Sequence, residues 1–365
     1  MASSNQAWTP HPRNSPKYVA TVNSARRYLR HRTLPTYISQ LVPGPIGSET
    51  WSLAWAYVRR FDDLVDKYLL ENDTALDFIE GEREVLDQCF AGRLTIPRRS
   101  PLRHRWLLQY FENQNRFYTE DVRYLIEGLY SSALDDLSRR GRVIDCRTMR
   151  DLLIKKSVYF FKLFFVLGRF KLGSIRDRIA YALGMAVGQA DDLLDFVEDY
   201  QQGFVNATTE ELEALGVIPN PTNGYFIREL FEHGYWELNK AQIRAAFERA
   251  LRSIRYLKER YVRSFLTLLS GAFSAAIEKM PSLDTALPSF SVKIPRPTLS
   301  IPLPSNESLA YRIGHRIITA ALCFPEVVER LVGRFLKVES QKRHSATQLT
   351  GRRYSLELLE KSEEQ

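Results

Sequence analysis

Four carboxylates, Asp191, Asp195, Glu198 and Asp199, fall within the stretch DDLLDFVEDY, directly after an apolar run, IAYALGMAVGQA. At about 100° per helical residue they sit near 0°, 40°, −20° and 80°, so on a helix all four share one arc. Upstream, in SETWSLAWAYVRRFDDLVDKYLL, Asp62 and Asp66 are adjacent on a helix face, with Arg59 about 60° and Trp55 about 20° from Asp62. The rest of that segment is apolar nearly all round, the pattern of a buried helix. No Lys or Arg lies between Arg178 and the end of the downstream segment. Carboxylates buried without a partner must neutralise or find a cation.

Hard oxygen ligands on two facing helices suit Mg2+, which takes one or two protein carboxylates per ion and completes its octahedron with water and phosphate oxygens. Two acidic faces with Arg59 therefore describe a site for a diphosphate bridged to the protein by magnesium. The plainer reading of the upstream pair is a set of salt bridges to Arg59, Arg60 or Lys67 on a solvated face. Gly188 and Gly184 lie on the Asp191 arc, one and two turns toward the helix start. Glycine inside a helix costs up to about 1 kcal/mol relative to alanine. The pair implies either room kept for the apolar tail of a ligand or close packing of a neighbouring helix.

The elements that must carry these residues are helical. Apolar residues recur with a 3.6-residue period, and alternating runs are few, so the chain is all-α. The pattern places helices at about 17–31, 48–70, 74–91, 101–117, 119–138, 147–170, 174–201, 208–215, 223–232, 235–250, 252–280, 307–322 and 325–338. Breaks come at LVPGPIGS, RLTIPRRSP and GVIPNPTNG. Residues 1–32 read as a loose arm and first helix, and 33–283 as the main helical domain. A Pro-rich strap at 284–306 leads to C-terminal helices and a polar tail at 307–365.

With 365 residues, 44% of them hydrophobic and 26% charged, the composition is that of an ordinary soluble globular protein able to bury a sizeable core. Three scattered cysteines, Cys89, Cys146 and Cys323, exclude a disulfide framework or a zinc site and fit a reducing, cytoplasmic setting. The N-terminus lacks the apolar core of an export signal, and no run reaches the ~20 apolar residues of a membrane span. A net charge of +8 suits nucleic acid, an anionic membrane or anionic small substrates. The absence of zinc-finger spacing or an RNA-binding aromatic signature weakens the first.

The pair WAYVRRFDDLVDKY and GQADDLLDFVEDYQQGF, with TEELEALGV downstream, resembles the squalene and phytoene synthase family of class I isoprenoid synthases. That family carries Tyr-Ala-x-Cys-Arg-x-x-Asp-Asp-x-x-Asp, then Asn-x-x-Arg-Asp-x-x-x-Asp, then Glu-Leu-x-x-x-Gly. TYISQLVP, with Tyr37, is similar to its Ser-Phe-Tyr…Leu-Leu-Pro segment and LIEGL to its Ile-Glu-Gly-Met helix; the likeness spans residues 33–280. It implies an isoprenoid-synthase α-helical bundle around a central cavity. By the same resemblance Asp62, Asp66, Asp195 and Asp199 are magnesium ligands, Asp191 stands in the place of a ligating Asn, and Arg59 holds diphosphate.

The chain also departs from the pattern. Leu194 replaces an arginine and Ser132 an aspartate; Phe204, Asn206, Ala207 and Thr208 stand where Arg-x-Tyr-Leu-Pro is usual, and Ser270 and Gly271 where a Tyr-Arg pair is usual. Coupling two prenyl diphosphates head to head needs cationic donors for both. Losing several of them suggests that one prenyl diphosphate binds while the second pocket takes something that is not a diphosphate, a small aromatic or isoprenoid acceptor. Divergent phytoene-synthase-like enzymes that prenylate carbazoles act in this way.

The expected chemistry is ionisation of an allylic diphosphate in secondary metabolism, with Trp55, Tyr57 and the aromatics of VYFFKLFF shielding the allylic cation. Tyr37, Tyr159, Glu198 and His233 are candidate proton acceptors. Rival readings are a head-to-head squalene or phytoene-type synthase, a terpene cyclase, and a catalytically dead assembly protein held on membranes through the amphipathic stretch LAYRIGHRIITAALCF. The alternative for that stretch is packing back on the bundle.

Overall fold

The computed structural model describes residues 7–13, 15–30, 44–70, 74–93, 95–113, 119–218, 225–278 and 280, with the backbone alone at 44–48, 66–70 and 119–120. The chain folds as an all-α bundle, as the periodicity requires. Its helices are α1 (Pro16–Arg30), α2 (Gly44–Leu70), α3 (Ala75–Phe90), α4 (Leu102–Asn113), α5 (Thr119–Arg139), α6 (Cys146–Leu153) and α7 (Tyr159–Leu167), followed by α8 (Ser174–Leu194), α9 (Phe196–Gln201), α10 (Thr209–Leu215), α11 (Tyr225–Glu232), α12 (Tyr235–Ile254) and α13 (Arg260–Glu278). The helices expected at 307–322 and 325–338, the Pro-rich strap and Tyr37 lie outside the described residues.

Three boundaries differ from the sequence pattern in ways that matter for the site. The single helix expected at 147–170 is interrupted by a π turn at Ile154–Val158, between α6 and α7. The helix expected at 174–201 bends at Asp195, whose φ of −95° and ψ of 1° lie between the helical and extended regions. The i→i−4 bonds Asp195 N–H to Asp191 O and Asp199 N–H to Asp195 O persist across the bend at 2.9 Å each. The expected 252–280 helix starts only at Arg260, after a turn at residues 255–259.

The arm is not loose over its described part. Ala7–Trp8 pairs antiparallel with Ile96–Pro97, and His11 exchanges two hydrogen bonds with the buried Gln109 side chain, at 2.9 and 3.0 Å. Few residues of a polar, Pro-containing segment signal such anchoring, which depends on partners ninety residues away.

α8 and α12 form the most extensive helix pair. Phe196 packs on Tyr235 and Trp236 at one end, and Arg176 pairs with Glu259 at the other, so the two run antiparallel. α2 is enclosed by α1, α4, α3 and α7. Trp51, Leu53, Ala54, Trp55, Ala56, Tyr57 and Val58 are all buried, as the all-round apolar pattern demands. Among the described residues no helix is long and apolar enough to cross a membrane.

Candidate functional site

The site begins on α2. Trp51 stacks on Trp55 one turn later at 5.0 Å, and Trp55 meets Phe160 of α7 at 4.4 Å. Phe164 closes against both tryptophans and stacks on Phe265 of α13 at 5.4 Å. One turn beyond Trp55, Arg59 lies over the Phe160 ring at 5.9 Å. An aromatic wall thus runs from a cation at the mouth down into the core. Its polar edge atoms are unpaired: Trp51 Nε1, Trp55 Nε1 and Arg59 Nε are buried without hydrogen-bond partners. A buried donor left unmet costs about 1–3 kcal/mol.

Tyr57, on the other side of α2, does not join this wall. Its hydroxyl donates to Glu82 Oε2 at 3.0 Å and meets the Tyr130 hydroxyl, so its assignment as a cation shield is corrected.

Arg59 Nη1 also pairs with Asp62 Oδ2 at 2.8 Å, and the Asp62 side chain remains 46% exposed. This is the salt bridge the plainer reading anticipated. Yet Asp62 and Arg59 also act on the Asp191 carboxyl across the gap, Asp62 raising its pKa and Arg59 lowering it. Asp62 and Asp191 are therefore within electrostatic reach of each other. The Asp66 side chain lies outside the described residues.

On the α8 side, burial is the largest influence on Asp191 and pushes its carboxyl up, followed by Lys156, which lowers it, and Asp192, which raises it. By surface area Asp191 is nevertheless exposed. Solvent therefore reaches this carboxyl although protein charges crowd it. Asp192 is raised by burial and by Asp136 against Lys156 and Arg139. Asp199 is pushed up to about 6, chiefly by burial, although Asn206 Nδ2 donates to it at 2.7 Å. Asn206 is itself held, its Oδ1 accepting from Arg139 at 3.1 Å while Arg139 pairs with Asp136 at 2.6 Å.

Sequence reasoning missed Lys156 because it reaches this face from the π turn. Its Nζ lies 3.6 Å from Asp192 Oδ1. The expectation that no cation serves the downstream face holds for α8 alone.

The glycines settle as packing devices. A Cβ on Gly184 would meet Val158 Cα at 2.6 Å, and one on Gly188 would meet Ser157 Oγ at 2.6 Å and Leu153 Cδ2 at 2.8 Å. The π turn sits directly on this α8 face, so Gly184 and Gly188 give no room for a ligand tail. Among the proton-acceptor candidates, Tyr159 shares a 2.7 Å hydrogen bond with Tyr124 and is raised to about 12, mainly by burial. His233 is exposed at the end of α11, its Nδ1 2.8 Å from Glu229 O.

Squalene synthase HpnC from Alicyclobacillus acidocaldarius has a similar structure, at 18% identity, over 72% of this chain and 94% of that one, with a TM-score of 0.57. A dehydrosqualene synthase determined with a ligand matches at 15% identity, over 88% of this chain and 98% of that one, with a TM-score of 0.56. The fold is that of the squalene/phytoene synthases. No protein-family model matches the sequence, and no curated protein sequence does.

Within the squalene/phytoene synthase fold the departing positions are structural. Ser132 and Ser270 are buried and donate to Leu129 O and Leu266 O of their own helices, both at 2.8 Å. Thr208 caps α10 in a reciprocal box with Glu211. Asn206 anchors Asp199.

Among the described residues no three His, Cys, Asp or Glu side chains converge tightly enough to hold a metal alone. The donor set is nonetheless all hard oxygen, partly buried and short of positive charge. It fits an ion that takes one or two carboxylates from each face and its remaining ligands from water and a bound anion.

Proposed function

We propose that the protein is a Mg2+-dependent prenyltransferase that ionises an allylic prenyl diphosphate and passes the prenyl group to a non-diphosphate, aromatic acceptor in secondary metabolism. What supports this reading is that Asp62 and Arg59 on α2 lie within electrostatic reach of Asp191 on α8, whose carboxyl is raised by burial and by its acidic neighbours. Mg2+, held by Asp62, Asp66, Asp191, Asp195 and Asp199, would supply the positive charge that stabilises the departing diphosphate.

The chain's own residues do the rest. Arg59 is pinned by Asp62 and by the Phe160 face, and its Nε has no partner. That Nε is shut off from solvent, but the side chain keeps 27% exposure, so the Nη groups of its fork are the ones that would donate to diphosphate oxygens. Trp55 and Phe160 present π faces beside that cation, where an allylic chain would lie and its charge be shielded at about 0.5–2 kcal/mol per ring. The indole and phenyl walls exclude water from the reacting carbon.

The aromatic acceptor is supported by what is missing: Leu194, Ser132 and Ser270 offer no side chain for a second diphosphate, since one is apolar and the serine hydroxyls bond to their own helices. Peripheral membrane contact rests on Leu309 to Phe324 alone, which lies outside the described residues, and the cytoplasmic setting rests on cysteine usage.

Incubation of the purified protein with Mg2+ and single prenyl diphosphates tests the reading. Release of diphosphate should require an added electron-rich aromatic compound and yield its prenyl adduct. A C30 or C40 hydrocarbon from farnesyl or geranylgeranyl diphosphate alone would show head-to-head coupling, and a cyclised terpene would show a cyclase. Either would overturn the acceptor assignment.

A further inference from the structure

The downstream acidic face carries a cation that arrives from another helix. Lys156 sits on the π turn, and the widened turn rests on α8 through two glycines, Val158 against Gly184 and Ser157 against Gly188. π turns are frequent where a side chain must be re-aimed at a functional site. Here the close approach brings Lys156 Nζ to 3.6 Å from Asp192, with Asp136, Asp191 and Asp199 also in electrostatic reach. Burial alone would lower the pKa of the amine; the four aspartates outweigh it and hold the ammonium charged. The neighbouring cations are otherwise engaged, Arg139 with Asp136 and Lys155 with Asp135 at 2.6 Å each. The Lys156 side chain keeps 37% exposure, so solvent and small ions reach it.

We propose that Lys156 is the standing counter-cation of this face, holding its aspartates together in the absence of metal and competing with the dication for them. The inference rests on the metal-dependent function proposed above. A lysine suits the part: it is a point charge on a flexible stem and can swing away when a dication and a diphosphate arrive, whereas the planar fork of arginine is committed to its partner. The consequence is ordered loading. While the ammonium occupies the face a dication binds weakly; a diphosphate, bringing negative charge, draws in the metal and takes up the ammonium.

The test is Mn2+ binding to the full-length protein at mildly alkaline pH, followed by electron paramagnetic resonance, with and without inorganic pyrophosphate. Lys156→Met and Lys156→Gln should each bind Mn2+ at least tenfold more tightly than wild type when pyrophosphate is absent, since a unit charge a few ångströms away is worth at least that factor even in a well-screened site. Lys155→Met, which empties the adjacent ion pair, should match wild type throughout; Lys156→Arg, which keeps the charge, should match it without pyrophosphate and take up less Mn2+ than wild type with it. If the two neutral variants unfold without metal and fold when Mn2+ is added, the cation role is equally upheld.

Unchanged or weaker Mn2+ affinity in both neutral variants overturns the proposal, as does failure of Mn2+ to fold them. Wild type that takes up Mn2+ with pyrophosphate while Lys156→Met behaves identically sinks this inference alone. Wild type that takes up none under any condition sinks the metal-dependent function, and this inference with it.

Discussion

One buried carboxylate and one cluster of three carboxylates draw in side chains from neighbouring helices in this protein, and the protein treats them in opposite ways. Glu82 of α3 is 2% exposed, and its oxygens receive Arg103 Nε at 2.8 Å, His104 Nε2 at 2.7 Å and the Tyr57 hydroxyl at 3.0 Å. Burial would raise its pKa, but His104 and Arg103 more than offset this and the carboxyl is held low. Asp191, Asp192 and Asp199 face like charges, share one lysine, and are all pushed up. The first group is complete and ties α2, α3, α4 and α5 together. The second has fewer cations than carboxylates, and those present do not offset its burial and like charges, which suits the cation-receiving role proposed for it.

The largest expected effect breaks the complete group. Glu82→Gln leaves Arg103 and His104 facing a neutral amide and should cost about 3–5 kcal/mol, lowering Tm by on the order of 10 °C. Asp191→Asn, which removes a like charge from the incomplete group, should leave Tm unchanged or raise it. Calorimetry of both variants checks the sign, and a fall for Asp191→Asn comparable to that for Glu82→Gln would erase the distinction.

The pH profiles of stability should also oppose each other. Glu82 has a lowered folded pKa, so its contribution is complete above its ordinary value of 4.5 and is lost as the pH falls through the lower folded value. Asp199 titrates near 6 in the fold against an ordinary 3.8. The folded state therefore holds a proton that the unfolded chain has released, and stability declines as pH rises from about 4 to 6, by up to about 2–3 kcal/mol before solvent screening. Urea midpoints for Asp199→Asn should lack that decline.

A smaller effect tests how the π turn is seated. Gly184→Ala presses a methyl on the Val158 backbone and Gly188→Ala on the ends of Ser157 and Leu153, so about 1–3 kcal/mol is expected, more at Gly184 because backbone cannot swing aside. Stable alanine variants with weakened substrate binding would instead revive a ligand passage along α8. Smallest of all, Asp62→Asn opens a half-exposed pair and should change stability by under about 1 kcal/mol, while turnover of a prenyl diphosphate falls by at least about 100-fold.

These regions also divide what a sequence can reveal. The helices, the all-round burial of α2 and the two acidic clusters follow from period and spacing, because they depend on residues within a few turns of one another. The Glu82 network went unread: Ala75, Ile79, Glu82, Leu86 and Cys89 form one buried stripe of α3, and a carboxylate in such a stripe is the one local signal that points to a buried partner. Its partners Arg103 and His104 lie on another helix and carry no local mark. Lys156 is hidden for the same reason, and further because the pattern at 147–170 reads as uninterrupted helix and gives no sign of the π turn that aims it. The two glycines on α8 were visible as exceptions, but only the neighbouring turn decides between a cavity and a close contact.

The most direct measurement is a crystal structure of the protein with Mn2+ and a thio-diphosphate analogue of an allylic substrate, with the metal located by anomalous scattering. Manganese should lie between α2 and α8, bridging Asp62 on one side and Asp191 or Asp195 on the other to the diphosphate oxygens, with Arg59 donating to the same anion and the prenyl chain along Trp55 and Phe160. A diphosphate bound elsewhere, or anomalous density absent from the gap between the two helices, would contradict the assignment of that gap as the catalytic centre.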